Sequence, residues 1–91
     1  MIRCYVAGAY SGSNVLDVLN NIRNGLRWST KVILDGMAPF VPWFDFHFQL
    51  MLRENENLTV EDYYNYSMEW LKVSGVVFVT PGWESSTGTN G

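Results

Sequence analysis

Two short stretches of this chain carry the residue types that hold a small polar ligand. One is Gly8-Ala-Tyr-Ser-Gly-Ser13 and the other is Pro81-Gly-Trp-Glu-Ser-Ser-Thr-Gly-Thr-Asn-Gly91. Glycines let the backbone come close to a ligand, and N–H groups and hydroxyls at a strand-to-helix junction suit phosphate or sugar oxygens. In the first stretch Gly8, Ser11 and Gly12 leave that room, and the Tyr10 ring is placed to stack on a base or sugar. An ordinary tight turn before a helix would have the same composition. The second stretch is more unusual, because a solvent-facing turn needs neither Trp83 nor the hydroxyls of Ser85, Ser86, Thr87 and Thr89 around Gly88. Ligand contact accounts for it better.

Neither stretch is a standard nucleotide fingerprint. Gly8 to Gly12 lacks the Gly-x-Gly-x-x-Gly spacing of a dinucleotide site and the Lys-Ser/Thr ending of a P-loop. Asp45, just past Pro42-Trp43, suits a hydrogen bond to a ribose hydroxyl, with a helix cap as the competing role. The single histidine, His47, sits between Phe46 and Phe48 and reads as a packed or half-exposed side chain rather than a base or metal ligand. A Ser-His-Asp triad has no support. Cys4 lies in the first hydrophobic run and reads as a buried, reduced thiol; one cysteine allows neither a disulfide framework nor a Cys-rich metal site within the chain. No cofactor and no metal is expected. Glu61, Asp62 and Glu69 read as solvated or capping acids, and Tyr63, Tyr64 and Tyr66 as packing residues.

The elements that must position these groups follow from hydrophobic spacing. Ile2 to Ala7 is a β-rich run ending at Gly8, and Asn14 with Asp17 forms an N-cap pair for a helix running to about Leu34 along Val15, Leu19, Ile22 and Leu26. Gly36 supplies a left-handed stop, and Ala38 to Pro42 reads as a brief strand bounded by prolines. Trp43 to Arg53 is expected to be helical, with a packed aromatic loop lining a cleft as the alternative. A third helix starts at Thr59 with Asp62 in its first turn and carries Tyr63, Tyr66, Trp70 and Val73 on its apolar face. Val76 to Thr80 is fully apolar, as expected for a central parallel strand covered on both faces. This βαβ alternation predicts an α/β fold whose two ligand-type loops meet at the carboxyl edge of a parallel sheet.

Size and charge narrow the function. The 91 residues make one small domain, and 47% hydrophobic content with 4 Trp, 5 Tyr and 5 Phe is more apolar surface than so short a chain easily hides, so a homo-oligomer is expected. A net charge of −3 disfavours nucleic acid as a partner. No run approaches the roughly twenty apolar residues that span a bilayer, so no membrane partner is expected and a soluble cytoplasmic protein is the default.

Taken together, Tyr5-Val-Ala-Gly-Ala-Tyr-Ser11, Pro39-Phe-Val-Pro42, Glu69-Trp-Leu71 and Val77-Phe-Val-Thr-Pro-Gly-Trp-Glu-Ser-Ser-Thr-Gly88 resemble the nucleoside 2-deoxyribosyltransferase-like superfamily over essentially the whole chain. The nearest likeness is to its small phage and bacterial branch, in which Pro-Gly-Trp-x-x-Ser-x-Gly follows the central strand. The resemblance implies a flavodoxin-like or Rossmann-like, three-layer α/β domain with a short parallel sheet of about three strands. It also implies a cleft for a nucleoside or nucleotide, and dimers or larger oligomers that complete one another's sites.

By position, Gly8, Tyr10 and Ser11 match the superfamily's substrate loop, and Ser86, Gly88 and Thr89 match its phosphate or sugar loop. In the superfamily's enzymes a glutamate after the Ser-x-Gly loop attacks the anomeric carbon and carries the sugar covalently, dividing one hard substitution into two easier ones. Here it is expected at or just beyond the position after Gly91, so residues 1–91 would be a domain short of its last helix and strand. The aspartate that assists the departing base aligns with Ser67, and Glu84 is in the wrong part of the loop to replace the nucleophile. Three readings therefore stand: a deoxyribosyltransferase or nucleotide N-glycosidase, a non-catalytic binder of nucleotide signals, and an assembly module that keeps only the fold.

Overall fold

Residues Arg3–Ala7 form strand β1, where alternation sends Cys4 and Val6 to one face, fully buried, and the half-buried Tyr5 and Ala7 to the other. The computed structural model describes residues 1–81. Helix α1 follows at Val15–Leu34. Its Asn14 cap accepts from the Asp17 N–H at 2.9 Å, and Ser13 Oγ donates to the Asp17 carboxylate at 2.8 Å. The helix stops where Gly36 takes φ +88° and the N–H groups of Gly36 and Met37 bond back to Ile33 and Val32.

Strand β2 is Ala38–Phe40, shorter than the expected Ala38 to Pro42 and with Pro39 inside it rather than at its border. Because β2 lies at the sheet edge, the N–H that Pro39 lacks costs no interior ladder bond. Pro42 instead opens a 3-10 turn, Pro42–Phe44, that leads into helix α2, Asp45–Leu50. Helix α3 spans Val60–Lys72 and begins in a reciprocal cap: the Thr59 N–H donates to Asp62 Oδ2 at 2.8 Å and the Asp62 N–H donates to Thr59 Oγ1 at 3.1 Å. These bonds hold the Asp62 carboxyl below its ordinary value. Thr59→Ala is expected to cost about 1 kcal/mol of stability and to let the Asp62 titration move back up. Urea denaturation and an NMR pH titration of Asp62 check both parts.

Strand β3 is Val76–Val79, and the three strands form one parallel sheet in the order β2-β1-β3. Tyr5 stands opposite Phe40 on one side and Val77 on the other. Among the described strands the central one is therefore β1, not the Val76–Thr80 run. In the described sheet β3 is an edge, and Val76, Val77 and Val79 are 40%, 52% and 44% exposed. An apolar β-branched run looks the same at a centre or an edge, whereas the path of the crossovers decides which strand lies between the others.

The two faces of the sheet carry different layers. Cys4 and Val6 pack with Val32 of α1 and with Trp43, ringed by Tyr10, Ile22, Met37, Val41 and Phe78. On the other face Tyr5 stacks on Phe40 at 5.3 Å, and Phe40 meets Tyr66 and Trp70 of α3, each at 5.8 Å. The result is a mixed α/β, flavodoxin-like arrangement with helices on both sides of a short parallel sheet. Among the described residues no helix is long and apolar enough to cross a membrane.

Candidate functional site

At the carboxyl end of β1 the connection through α1 leaves along one face while the connection through α3 arrives along the other. Open parallel sheets form a crevice at such a divergence. Here it is a cleft of about 540 Å³, within the range of small-molecule sites. Tyr5, Ala7, Gly8, Tyr10 and Ser11 line it from β1 and its loop, Pro42, Trp43, Asp45 and Gln49 from the turn and α2, and Val60, Tyr63, Tyr64 and Ser67 from α3.

The loop after β1 is pinned from both sides. Trp43 Nε1 donates to the Ala9 carbonyl at 2.9 Å, and Asn21 Nδ2 donates to the carbonyls of Tyr10 and Ser11 at 3.2 and 3.0 Å. Trp43 itself can lie this close to α1 because position 25 is glycine, where a Cβ would overlap the indole ring. Gly8 is equally confined, since a Cβ there would overlap Thr80 Oγ1 and come within 3.1 Å of the Trp43 ring. The Thr80 N–H donates to the Ala7 carbonyl at 2.8 Å, which sets β3's end against the same loop.

The polar groups of the cleft have distinct electrical characters. Burial pushes the Asp45 carboxyl up from 3.8 to about 6, so near neutrality it is poised between accepting and donating a hydrogen bond. Burial first, and then the Asp45 charge, raises the phenols of Tyr10 and Tyr63 and keeps them neutral donors. Burial also raises Tyr5, whose hydrogen bond to the Ser67 side chain acts the other way. The Tyr63 hydroxyl is buried with no hydrogen-bond partner among the described residues, which leaves it available to a ligand. The cleft thus offers flat aromatic walls, neutral hydroxyl donors and one carboxyl.

The carboxyl carries a stability signature. Its folded value lies above the unfolded one, so the native state holds the extra proton between about pH 4 and pH 6. The cost of the buried charge is absent below that window and complete above it. Asp45→Asn is expected to be more stable than the wild type at pH 7–8, by on the order of 1 kcal/mol once water at the open cleft is allowed for, and equal to it below pH 4. Thermal melts across this range check it, and equal stability at pH 8 would contradict the buried charge.

Of the residues singled out in the sequence, Gly8, Tyr10, Ser11 and Asp45 come together in this one cleft. Trp83, Ser86, Gly88, Thr89 and Glu84 lie outside the described residues. Asp45 is the first residue of α2 and lines the cleft, but the cap position is Phe44 and no side chain caps the helix, so the helix-cap role is not the one it takes. Tyr63 and Tyr64, expected to pack, line the cleft instead, while Tyr66 does pack, between Phe40 and Phe48. The missed signal was a second helical stripe: Val60, Tyr63, Tyr64 and Ser67 follow i, i+3, i+4, i+7 spacing beside the Tyr66–Trp70 stripe. Trp43 and Gln49 fall in the Trp43 to Arg53 stretch whose alternative reading was an aromatic loop lining a cleft, whereas Tyr5 was not singled out as a site residue.

His47 is exposed beside Phe44 and Phe46 and does not line the cleft. Cys4 is fully buried, with burial raising its thiol. Among the described residues no three His, Cys, Asp or Glu side chains stand together as a metal site. Comparison of the chain with family models, curated proteins and solved structures gives no match.

Proposed function

We propose that this protein binds a nucleoside or nucleotide in the cleft at the carboxyl end of β1, and that the reaction served by such binding is N-glycosidic bond transfer or hydrolysis. The observation that supports it is the composition of the cleft: four of the five tyrosines line it together with Asp45, at the switch point of a parallel sheet. A base is flat and apolar on its faces and polar at its edge, and Tyr10, Tyr63 and Tyr64 offer rings for the faces. Asp45 and the unpartnered Tyr63 hydroxyl serve the edge or a sugar hydroxyl.

Binding is the part of that chemistry which the described residues can perform. Ser67, at the position where the resemblance places an aspartate, lines the cleft with a hydroxyl already engaged by Tyr5. It can hydrogen-bond a departing base but cannot bring a charge to it. Calorimetric titration with a panel of deoxynucleosides and their monophosphates tests the reading, and no binding at millimolar concentration would sink it. Following base release from the same panel separates an enzyme from a non-catalytic binder. Binding of none of them would leave the fold-only assembly role.

A soluble cytoplasmic homo-oligomer belongs to the same reading. Phe48, Leu50, Met51, Trp70, Val77 and Val79 are 44% to 76% exposed, which is costly in water for so small a domain. Sedimentation velocity at tens of micromolar is expected to show a dimer or larger species. A clean monomer would remove that element.

A further inference from the structure

Helix α1 covers a stripe that recurs every three or four residues, with Val18 and Ile22 half-buried and Gly25, Ser29 and Val32 buried. Asn21 falls on that stripe, one turn before Gly25, and is itself half-buried. Inside a helix asparagine is a poorer choice than alanine, because its amide competes for backbone partners, and on a covered face it forgoes the apolar burial its neighbours gain. Neither effect favours α1, so the reason for an amide at this position lies in what it reaches.

It reaches the loop after β1. Asn21 Nδ2 donates to the Tyr10 carbonyl at 3.2 Å and to the Ser11 carbonyl at 3.0 Å. Both partners are carbonyl oxygens, so only the NH2 end of the amide can serve them, and its two hydrogens match two acceptors. The Trp43 Nε1 bond to Ala9 continues the series: three successive carbonyls, Ala9, Tyr10 and Ser11, are held by side chains. Tyr10 and Ser11 line the cleft, whereas Asn21 is not one of its lining residues. The bond to Ser11 is exposed and the bond to Tyr10 only partly buried, so water can replace the amide at both carbonyls and the folded chain loses little by the exchange.

We propose that Asn21 is a positioning residue, which holds Tyr10 and Ser11 in the shape that accepts a ligand, so that its loss weakens binding in the cleft without weakening the fold. A loop that is loose in the free protein has to be ordered when the ligand arrives, and that ordering subtracts from affinity. The binding half of this inference rests on the nucleoside reading above, and the loop half stands without it.

The test compares Asn21→Ala and Asn21→Asp with the unaltered chain. The melting temperature of Asn21→Ala is expected at or above that of the unaltered chain, because alanine is the better helix residue. NMR relaxation is expected to show faster motion of the Tyr10 and Ser11 amides. Calorimetry with deoxyadenosine and with thymidine is expected to show binding weaker by roughly fivefold to thirtyfold, the factor that fixing the backbone of one residue is worth. Asn21→Asp keeps the shape but has no N–H to donate, and is expected to lose at least as much affinity. Unchanged binding in Asn21→Ala, or loop amides as rigid as before, would overturn the positioning role. A lower melting temperature in Asn21→Ala, or failure to fold, would make Asn21 a structural residue and overturn it likewise. If the unaltered chain binds neither probe, the nucleoside reading fails by itself, and the relaxation and melting results decide whether Asn21 orders the loop.

Discussion

Replacing Trp43 by alanine is expected to lower the unfolding free energy by about 3–5 kcal/mol, a large share of the roughly 5–15 kcal/mol a small domain has to spare. Trp43 is only 2% exposed, and it joins Cys4, Val6 and Val32 in a core with few other fully covered side chains. The face of α1 is cut away at Gly25 to receive the ring, so truncation leaves a cavity bounded by a rigid helix that cannot easily close it. The lost Nε1–H to Ala9 bond adds a second effect, because the loop bearing Gly8, Tyr10 and Ser11 loses its anchor on that side. Trp43→Phe keeps most of the packing but not the hydrogen bond, and is expected to fall between. Urea denaturation followed by far-UV circular dichroism measures the series. A loss below 1 kcal/mol for Trp43→Ala would mean that the ring is not a core element.

Gly8→Ala is the second large expectation. The added methyl runs into Thr80 Oγ1 and crowds the Trp43 ring, and overpacking at a confined position costs about 1–3 kcal/mol. The clash is specific, so it can be relieved. Thr80 is 1% exposed and its hydroxyl has no partner among the described residues, so Thr80→Ala gives up little hydrogen bonding. In the Gly8→Ala/Thr80→Ala double variant most of the Gly8→Ala cost is expected to disappear, a favourable coupling that a double-mutant cycle reads directly. Additive losses would place the constraint in the backbone at Gly8 rather than in the Thr80 side chain. The consequence for the proposed nucleoside binding is separate: because Gly8 lines the cleft, Gly8→Ala is also expected to weaken it.

Much of the fold was legible in local chemistry. Asn14 and Asp17, Gly36, and Thr59 with Asp62 are short-range devices whose partners lie within four residues, and each capped or stopped its helix where the spacing indicated. The βαβ order and the parallel sheet follow from the same local periodicities. What was misread was non-local. The Val76–Thr80 run was expected at the centre of the sheet, and Pro39 was expected to border a strand it occupies, because neither hydropathy nor a proline records which neighbour a strand will have.

The candidate site divides along the same line. The residue types at Gly8, Tyr10, Ser11 and Asp45 by themselves identified a loop and a carboxyl suited to a small polar ligand, since backbone access, ring and charge are properties of the residues. Only the tertiary structure decided that Asp45 stands among Tyr5, Tyr10, Tyr63 and Tyr64, and that every cation lies elsewhere. It also decided that the aromatic residues of α3 split into a stripe facing the cleft and a stripe packing on Phe40. A helix presents several faces at once, and which one meets open space is settled by where the sheet and the neighbouring turn press against it.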